Sequence, residues 1–171
     1  YKMNLLKKAF TLILILLFTA GTGAAQKDSI TKVFIIRHAE KADDGSKDPP
    51  LSEAGKNRAA ALAKTFSKTR IDGIYSTPYK RTRETVSVLS AQTGVSVVNY
   101  NPMDTEAIWS LVRNQKGKNL LFAGHSNTVP LILNRLTQST QYKDLAESEF
   151  DNIWILLLKE GRLINVVHLT Y

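Results

Sequence analysis

Apolar residues recur along this chain in two rhythms. Unbroken runs at Val33-Phe34-Ile35-Ile36 and Leu120-Leu121-Phe122-Ala123 read as buried strands, over 32–36 and 119–123. Between them the apolar spacing is helical. Ala59, Leu62, Ala63 and Phe66 share one face of a helix over 52–67 with Ser52 as its N-cap, and Val86, Leu89 and Ser90 lie near the buried stripe of a helix over 79–92. Further helices are predicted over 104–114 and 128–136, and short strands over 71–75 and 95–100. The segments 153–158 and 163–169, joined through Glu160-Gly161-Arg162, have the pattern of a β-hairpin. Strands alternating with helices and closing on a hairpin predict a three-layer α/β/α sandwich: a mostly parallel sheet with a C-terminal antiparallel hairpin.

The first residues follow neither rhythm. Lys7 and Lys8 precede the apolar stretch 9–20, and Gly23-Ala24-Ala25 supplies small residues after it, the order of a cleavable signal peptide over 1–25. A membrane anchor needs about 20 apolar residues, more than this stretch offers. The expectation is therefore a secreted or periplasmic protein, cleaved before Gln26, with no membrane attachment after cleavage. Residues 26–171 are one domain's worth. The chain has no cysteine, so it forms no disulfide and carries no lipoprotein acylation site. Its formal charge is +8, and removing Lys2, Lys7 and Lys8 from 23 basic residues leaves 20 against 15 acidic, or +5. That excess suits an anionic small molecule. Nucleic-acid binding is not expected, because no basic stripe is interleaved with aromatics.

Candidate chemistry gathers where strands end. Arg37-His38-Ala39-Glu40 closes the first apolar run, and the carboxyl ends of such strands are where α/β proteins place ligands. Tyr75-Ser76-Thr77-Pro78 ends a second strand and leads into a helix carrying Arg81. Taken alone, Arg81 between Lys80 and Arg83 reads as part of a solvated helix face. Gly124-His125-Ser126-Asn127 ends the strand at 119–123, and the glycine suggests a close approach by ligand or backbone. His168 lies inside a strand-like run and reads as a packed or edge side chain.

These segments, with Leu51-Ser52-Glu53-Ala54-Gly55 matching a Leu-Thr-x-x-Gly motif at the first helix, resemble the histidine phosphatase (phosphoglycerate mutase-like) superfamily. The resemblance runs from about Val33 to Pro130. It implies phosphomonoester hydrolysis through a phosphohistidine on His38, without metal or other cofactor, and with Arg37, Arg81 and His125 around the transferring group. Ser126 and Asn127 are expected to join Arg37, Arg81 and His125 in binding phosphate. Arginine forks match phosphate oxygens bidentately, as lysine cannot. The general acid is expected in the segment after the third strand, where Asp104 and Glu106 stand; Glu40 is a further candidate. Asp104 is equally well placed as a helix N-cap.

The chain departs from the family pattern in two places. Ser126-Asn127 stands where one branch has an acid, and Arg58 where many relatives carry glutamine. Mutases and bisphosphatases of the family are longer, so a compact phosphatase is implied, with a sugar or cell-envelope phosphate as substrate. Three alternatives stay open: a phosphohistidine protein phosphatase, a phosphate-binding domain without turnover, and a metal site built from His38, His125 and a carboxylate.

Overall fold

A computed structural model of the chain describes residues 29–171. The candidate signal peptide over 1–25 lies outside them. The described elements, in order, are β1 (Ile30–Arg37), α1 (Glu53–Thr65), β2 (Gly73–Ser76), α2 (Lys80–Thr93), β3 (Val97–Asn99), α3 (Thr105–Asn114), β4 (Asn119–Gly124), α4 (Thr128–Thr137), β5 (Asn152–Lys159) and β6 (Arg162–Thr170). The six strands form one sheet in the order β3-β2-β4-β1-β5-β6. β1 to β4 are parallel, while β5 runs antiparallel to β1 and to β6. This is the expected α/β architecture with its C-terminal antiparallel pair.

Strand alternation explains the layers. Val33 and Ile35 of β1 join Leu120 and Phe122 of β4 in a core covered by Ile108 and Val112 of α3 and by Val129, Ile132, Leu133 and Leu136 of α4. Phe34 and Ile36 point to the other face, where Leu62 and Ala63 of α1 and Val86 and Leu89 of α2 close over Leu121 and Ala123. The stripe anticipated on α1 is thus its buried face, with Phe66 at the C-cap. Ser90 is only half-buried, and Thr82 and Thr85 complete the α2 stripe instead.

Element ends differ from the sequence reading for local reasons. β1 extends back to Ile30 because its pairing with β5 continues to Ile30 against Lys159. β3 shrinks to three residues: it is an edge strand whose Val98 and Asn99 are exposed, so little burial holds it. α2 starts one residue late because Tyr79 is extended. The β5–β6 turn puts Glu160 at φ 51° and Gly161 at φ 75°, the two positive values that a tight hairpin needs.

α1 is anchored to the strand end that matters. Ser52 caps it, its Oγ accepting from the Gly55 amide at 3.1 Å, while the Ser52 amide donates to the Glu40 carbonyl at 2.9 Å. Gly55 sits directly on Glu40, where a Cβ would overlap the carbonyl oxygen and lie 3.1 Å from the carbonyl carbon and the amide nitrogen. Gly55→Ala is therefore expected to cost about 3 kcal/mol, at the upper end of usual overpacking penalties. Urea unfolding followed by circular dichroism measures it, and an unchanged midpoint would refute the close packing.

Candidate active site

Sheet register assembles the site. Arg37 pairs with Gly124 and Ser76 with Ala123, so β1, β4 and β2 end at one level. The residues that follow, His38, His125 and Thr77, therefore emerge side by side. β4 lies between two strands whose connections leave on the opposite face of the sheet, and a crevice opens where connections diverge in this way. The crevice is a cavity of about 440 Å³ lined by Arg37, His38, Arg81, His125, Ser126 and Asn127. All these sequence candidates are thus brought together.

The His38 ring is buried and its tautomer is fixed. Nδ1 lies 2.7 Å from the Ala39 carbonyl oxygen, which can only accept, so Nδ1 carries the proton and Nε2 keeps its lone pair. Arg81 Nε donates to that Nε2 at 3.3 Å. Burial, with further push from Arg81, Arg37 and Lys41, lowers the His38 pKa to about 4 against the upward pull of the Ala39 carbonyl. At pH 7 the ring is neutral.

His125 is held in the complementary way. Arg81 Nη2 lies 3.5 Å from Nδ1, and a guanidinium can only donate, so Nδ1 accepts and Nε2–H donates to Thr77 Oγ1 at 2.8 Å. The Thr77 hydroxyl is then free to donate to Thr82 Oγ1, also at 2.8 Å. Both threonines are fully buried, a relay that the sequence reading missed. Burial first, then His38, Arg81 and Arg37, bring the His125 pKa down to about 3. The two imidazole centroids are 5.2 Å apart.

Arg37 is anchored rather than mobile. Its Nη1 donates to the carbonyls of Ala146 at 2.6 Å, Glu149 at 3.1 Å and Glu147 at 3.4 Å, and Phe150 stacks 4.2 Å from the guanidinium carbon. Burial lowers its pKa from the usual value, opposed by Glu147. Its Nε is buried and has no hydrogen-bond partner among the described residues. An orphaned donor of this kind fits an acceptor oxygen on a bound ligand.

The acid candidates lie elsewhere. Asp104 caps α3, accepting from the Ala107 amide at 3.0 Å, and is exposed. Glu106 forms a two-pronged pair with Arg135, both bonds 2.7 Å, whose hydrogen bonds hold its pKa below the usual carboxylate range. Glu40 does the same with Arg58, the shortest bond again 2.7 Å, and its pKa is likewise lowered by those bonds. None of the three lines the cavity. Among the described residues Glu147 is the carboxylate that does, with Oε2 3.4 Å from Arg37 Nη2 and its side chain 87% exposed. No motif marks it in the sequence.

Lys41, Tyr79, Pro102, Met103 and Phe150 complete the mouth and were also not anticipated. Gly124 admits a neighbour as expected: a Cβ there would lie 2.8 Å from Thr128 Oγ1, which accepts from the His125 amide at 2.9 Å. The Thr128 and Val129 amides turn back onto the His125 carbonyl, so they are not free to bind an anion. His168 stacks on Trp154 on the hairpin, 4.9 Å between centroids, and its Nε2–H donates to Asn152 Oδ1 at 2.7 Å. Among the described residues no group of three or more His, Asp or Glu side chains is arranged to hold a metal ion.

A neutral imidazole whose Nε2 lone pair meets one guanidinium, with a second guanidinium lining the same cavity, can act as a nucleophile toward an anionic electrophile. Residues 33–102 match the histidine phosphatase superfamily (branch 1). A protein histidine phosphatase SixA, solved with tungstate, has the same fold at a TM-score of 0.67 and 17% identity, covering 81% of this chain and 96% of its own. A mycobacterial glucosyl-3-phosphoglycerate phosphatase matches at 0.67 and 14%, covering 83% and 98%. Phosphoserine phosphatase 1 of Hydrogenobacter thermophilus is 36% identical over 75 residues. That alignment takes in 40% of this chain and 36% of the relative, so the chain spans about a third of the curated protein it matches. The chain is thus similar to the histidine phosphatase superfamily over residues 33–102, and its fold is that of the solved phosphatases.

Proposed function

We propose that the protein hydrolyses phosphomonoesters by way of a phosphohistidine on His38. The observation that carries this reading is the His38 ring itself: neutral, with Nδ1–H tied to the Ala39 carbonyl and the Nε2 lone pair facing Arg81 in the cavity. Nε2 attacks phosphorus in line, the P–O bond to the leaving group breaks, and the leaving oxygen takes a proton from Glu147. Water then attacks the phosphohistidine, Glu147 recovers a proton from it, the P–N bond breaks and phosphate departs. Arg81 and the orphaned Nε–H of Arg37 meet the equatorial oxygens, a charge-assisted role that arginine geometry suits. Glu147 Oε2 lies 3.4 Å from Arg37 Nη2, which places the carboxyl group beside the proposed clamp.

The relatives named as phosphatases support the reaction class, and a cavity of about 440 Å³ suits a small phosphorylated molecule. The substrate is proposed to be a sugar or envelope phosphate met outside the cytoplasm, on the strength of the N-terminal signal pattern.

In this reading cationic side chains carry out the neutralisation that a metal performs in other phosphatases. Purified protein should hydrolyse p-nitrophenyl phosphate unchanged after prolonged EDTA treatment. Vanadate, which takes up the five-coordinate geometry of in-line transfer, should inhibit more strongly than inorganic phosphate. Loss of activity with EDTA and its recovery with zinc or magnesium would replace the arginine clamp with a metal mechanism.

A further inference from the structure

We infer that Asp48, in the loop between β1 and α1, is a positioning residue for phosphoryl transfer: its carboxylate fixes both the start of α2 and the plane of the Arg81 guanidinium. The inference rests on the phosphatase reading above.

The first amides of a helix have no partner within it, and the local N-cap of α2 cannot supply one, since Tyr79 offers no side-chain cap bond. Asp48 does so from 32 residues upstream. Its Oδ1 and Oδ2 lie 3.1 and 3.3 Å from the Lys80 amide, a negative charge on the positive end of the helix dipole. The same Oδ1 is 3.6 Å from Arg81 Nη1.

Every nitrogen of the Arg81 fork then faces a fixed partner. Nη1 faces Asp48, Nε faces His38 Nε2 at 3.3 Å, and Nη2 faces His125 Nδ1 at 3.5 Å, with the Tyr79 ring 4.6 Å from the guanidinium carbon. A planar fork held at three corners keeps one orientation. Phosphoryl oxygens entering the site would compete for the two corners held by imidazole lone pairs. The Asp48 corner lies outside the cavity lining and stays occupied.

The loop is built to hold Asp48 still. Pro49 and Pro50 follow it, the Pro50 carbonyl accepts from the Ala42 amide at 2.8 Å, and the Leu51 amide donates to Glu84 Oε2 on α2 at 2.7 Å. Asp48 thus sits in a loop that follows His38, is closed on itself, and is bonded to the helix that carries Arg81.

A carboxylate this near an anion site opposes phosphate binding, so its benefit must lie in orientation rather than affinity. Asp48→Asn keeps an acceptor for the Lys80 amide and removes the charge. For p-nitrophenyl phosphate its kcat is expected to fall by about tenfold or more. KM should hold or decrease, the thermal midpoint should hold, and vanadate inhibition should weaken more than phosphate inhibition. In an Arg81→Lys background, which has no fork to orient, the same change should have no further effect. Asp48→Ser, a good cap too short to reach Arg81, repeats the measurement if the asparagine variant folds poorly. A folded variant with wild-type kcat, or effects that add in the double mutant, would overturn the positioning role. A wild-type protein that hydrolyses no phosphomonoester and forms no phosphohistidine would instead overturn the reading on which it rests.

Discussion

His38→Ala is expected to lower turnover of p-nitrophenyl phosphate by about four orders of magnitude or more, the scale on which removal of a covalent nucleophile acts. His38 Nε2 is the lone pair presented to the cavity beside Arg81, and the other imidazole has its Nε2–H committed to Thr77. The label should follow the same rule. Wild-type protein quenched during turnover of a ³²P-labelled substrate should retain an acid-labile, base-stable adduct, as a phosphoramidate is, and His38→Ala should retain none. Circular dichroism and thermal unfolding must show the variant folded. More than a few per cent of wild-type activity in a folded His38→Ala protein would remove His38 from the mechanism.

Glu147→Gln is expected to separate substrates by leaving group. An alkyl phosphate needs a proton on its departing oxygen, and loss of the acid should slow it by about 100-fold; p-nitrophenolate leaves with little help and should be affected far less. The side chain is 87% exposed and its pairing with Arg37 is long, so little change in stability is expected. Asp104→Ala serves as the contrast. It removes the α3 cap, costs about 1 kcal/mol, and should show no dependence on leaving group. Equal slowing of both substrates by Glu147→Gln would mark it as a companion of Arg37 and not a proton donor.

The layers were legible because each core strand is short, apolar and bounded by polar residues, and each helix shows its stripe at 3.6-residue spacing. Clustering of Arg37, His38 and His125 was legible for a different reason: residues at the carboxyl ends of neighbouring parallel strands converge, while Arg81, on α2, was placed with them by the family resemblance. The acid was not. Asp104 looks the same in sequence as a cap or as a proton donor, and only the Ala107 amide at 3.0 Å shows the first. Glu147 sits in a loop without periodicity, and its place at the cavity follows from the three carbonyls that bind Arg37, long-range contacts that no local pattern encodes. Thr77 and Thr82 likewise become a relay only once β2 and α2 are folded against β4.

The strand order has a temporal meaning. β4 is the last of the parallel strands along the chain, yet it separates β1 from β2, so the strands that carry His38 and lead to Arg81 are not paired with each other at all. A ribosome that has released only residues up to β3 has made His38 and Arg81 without the strand that brings them together. Such long-range closure is slow compared with helix formation. Catalytic competence should therefore return in the same kinetic phase as insertion of β4, which makes recovered phosphatase activity a late and specific clock for refolding of this sheet.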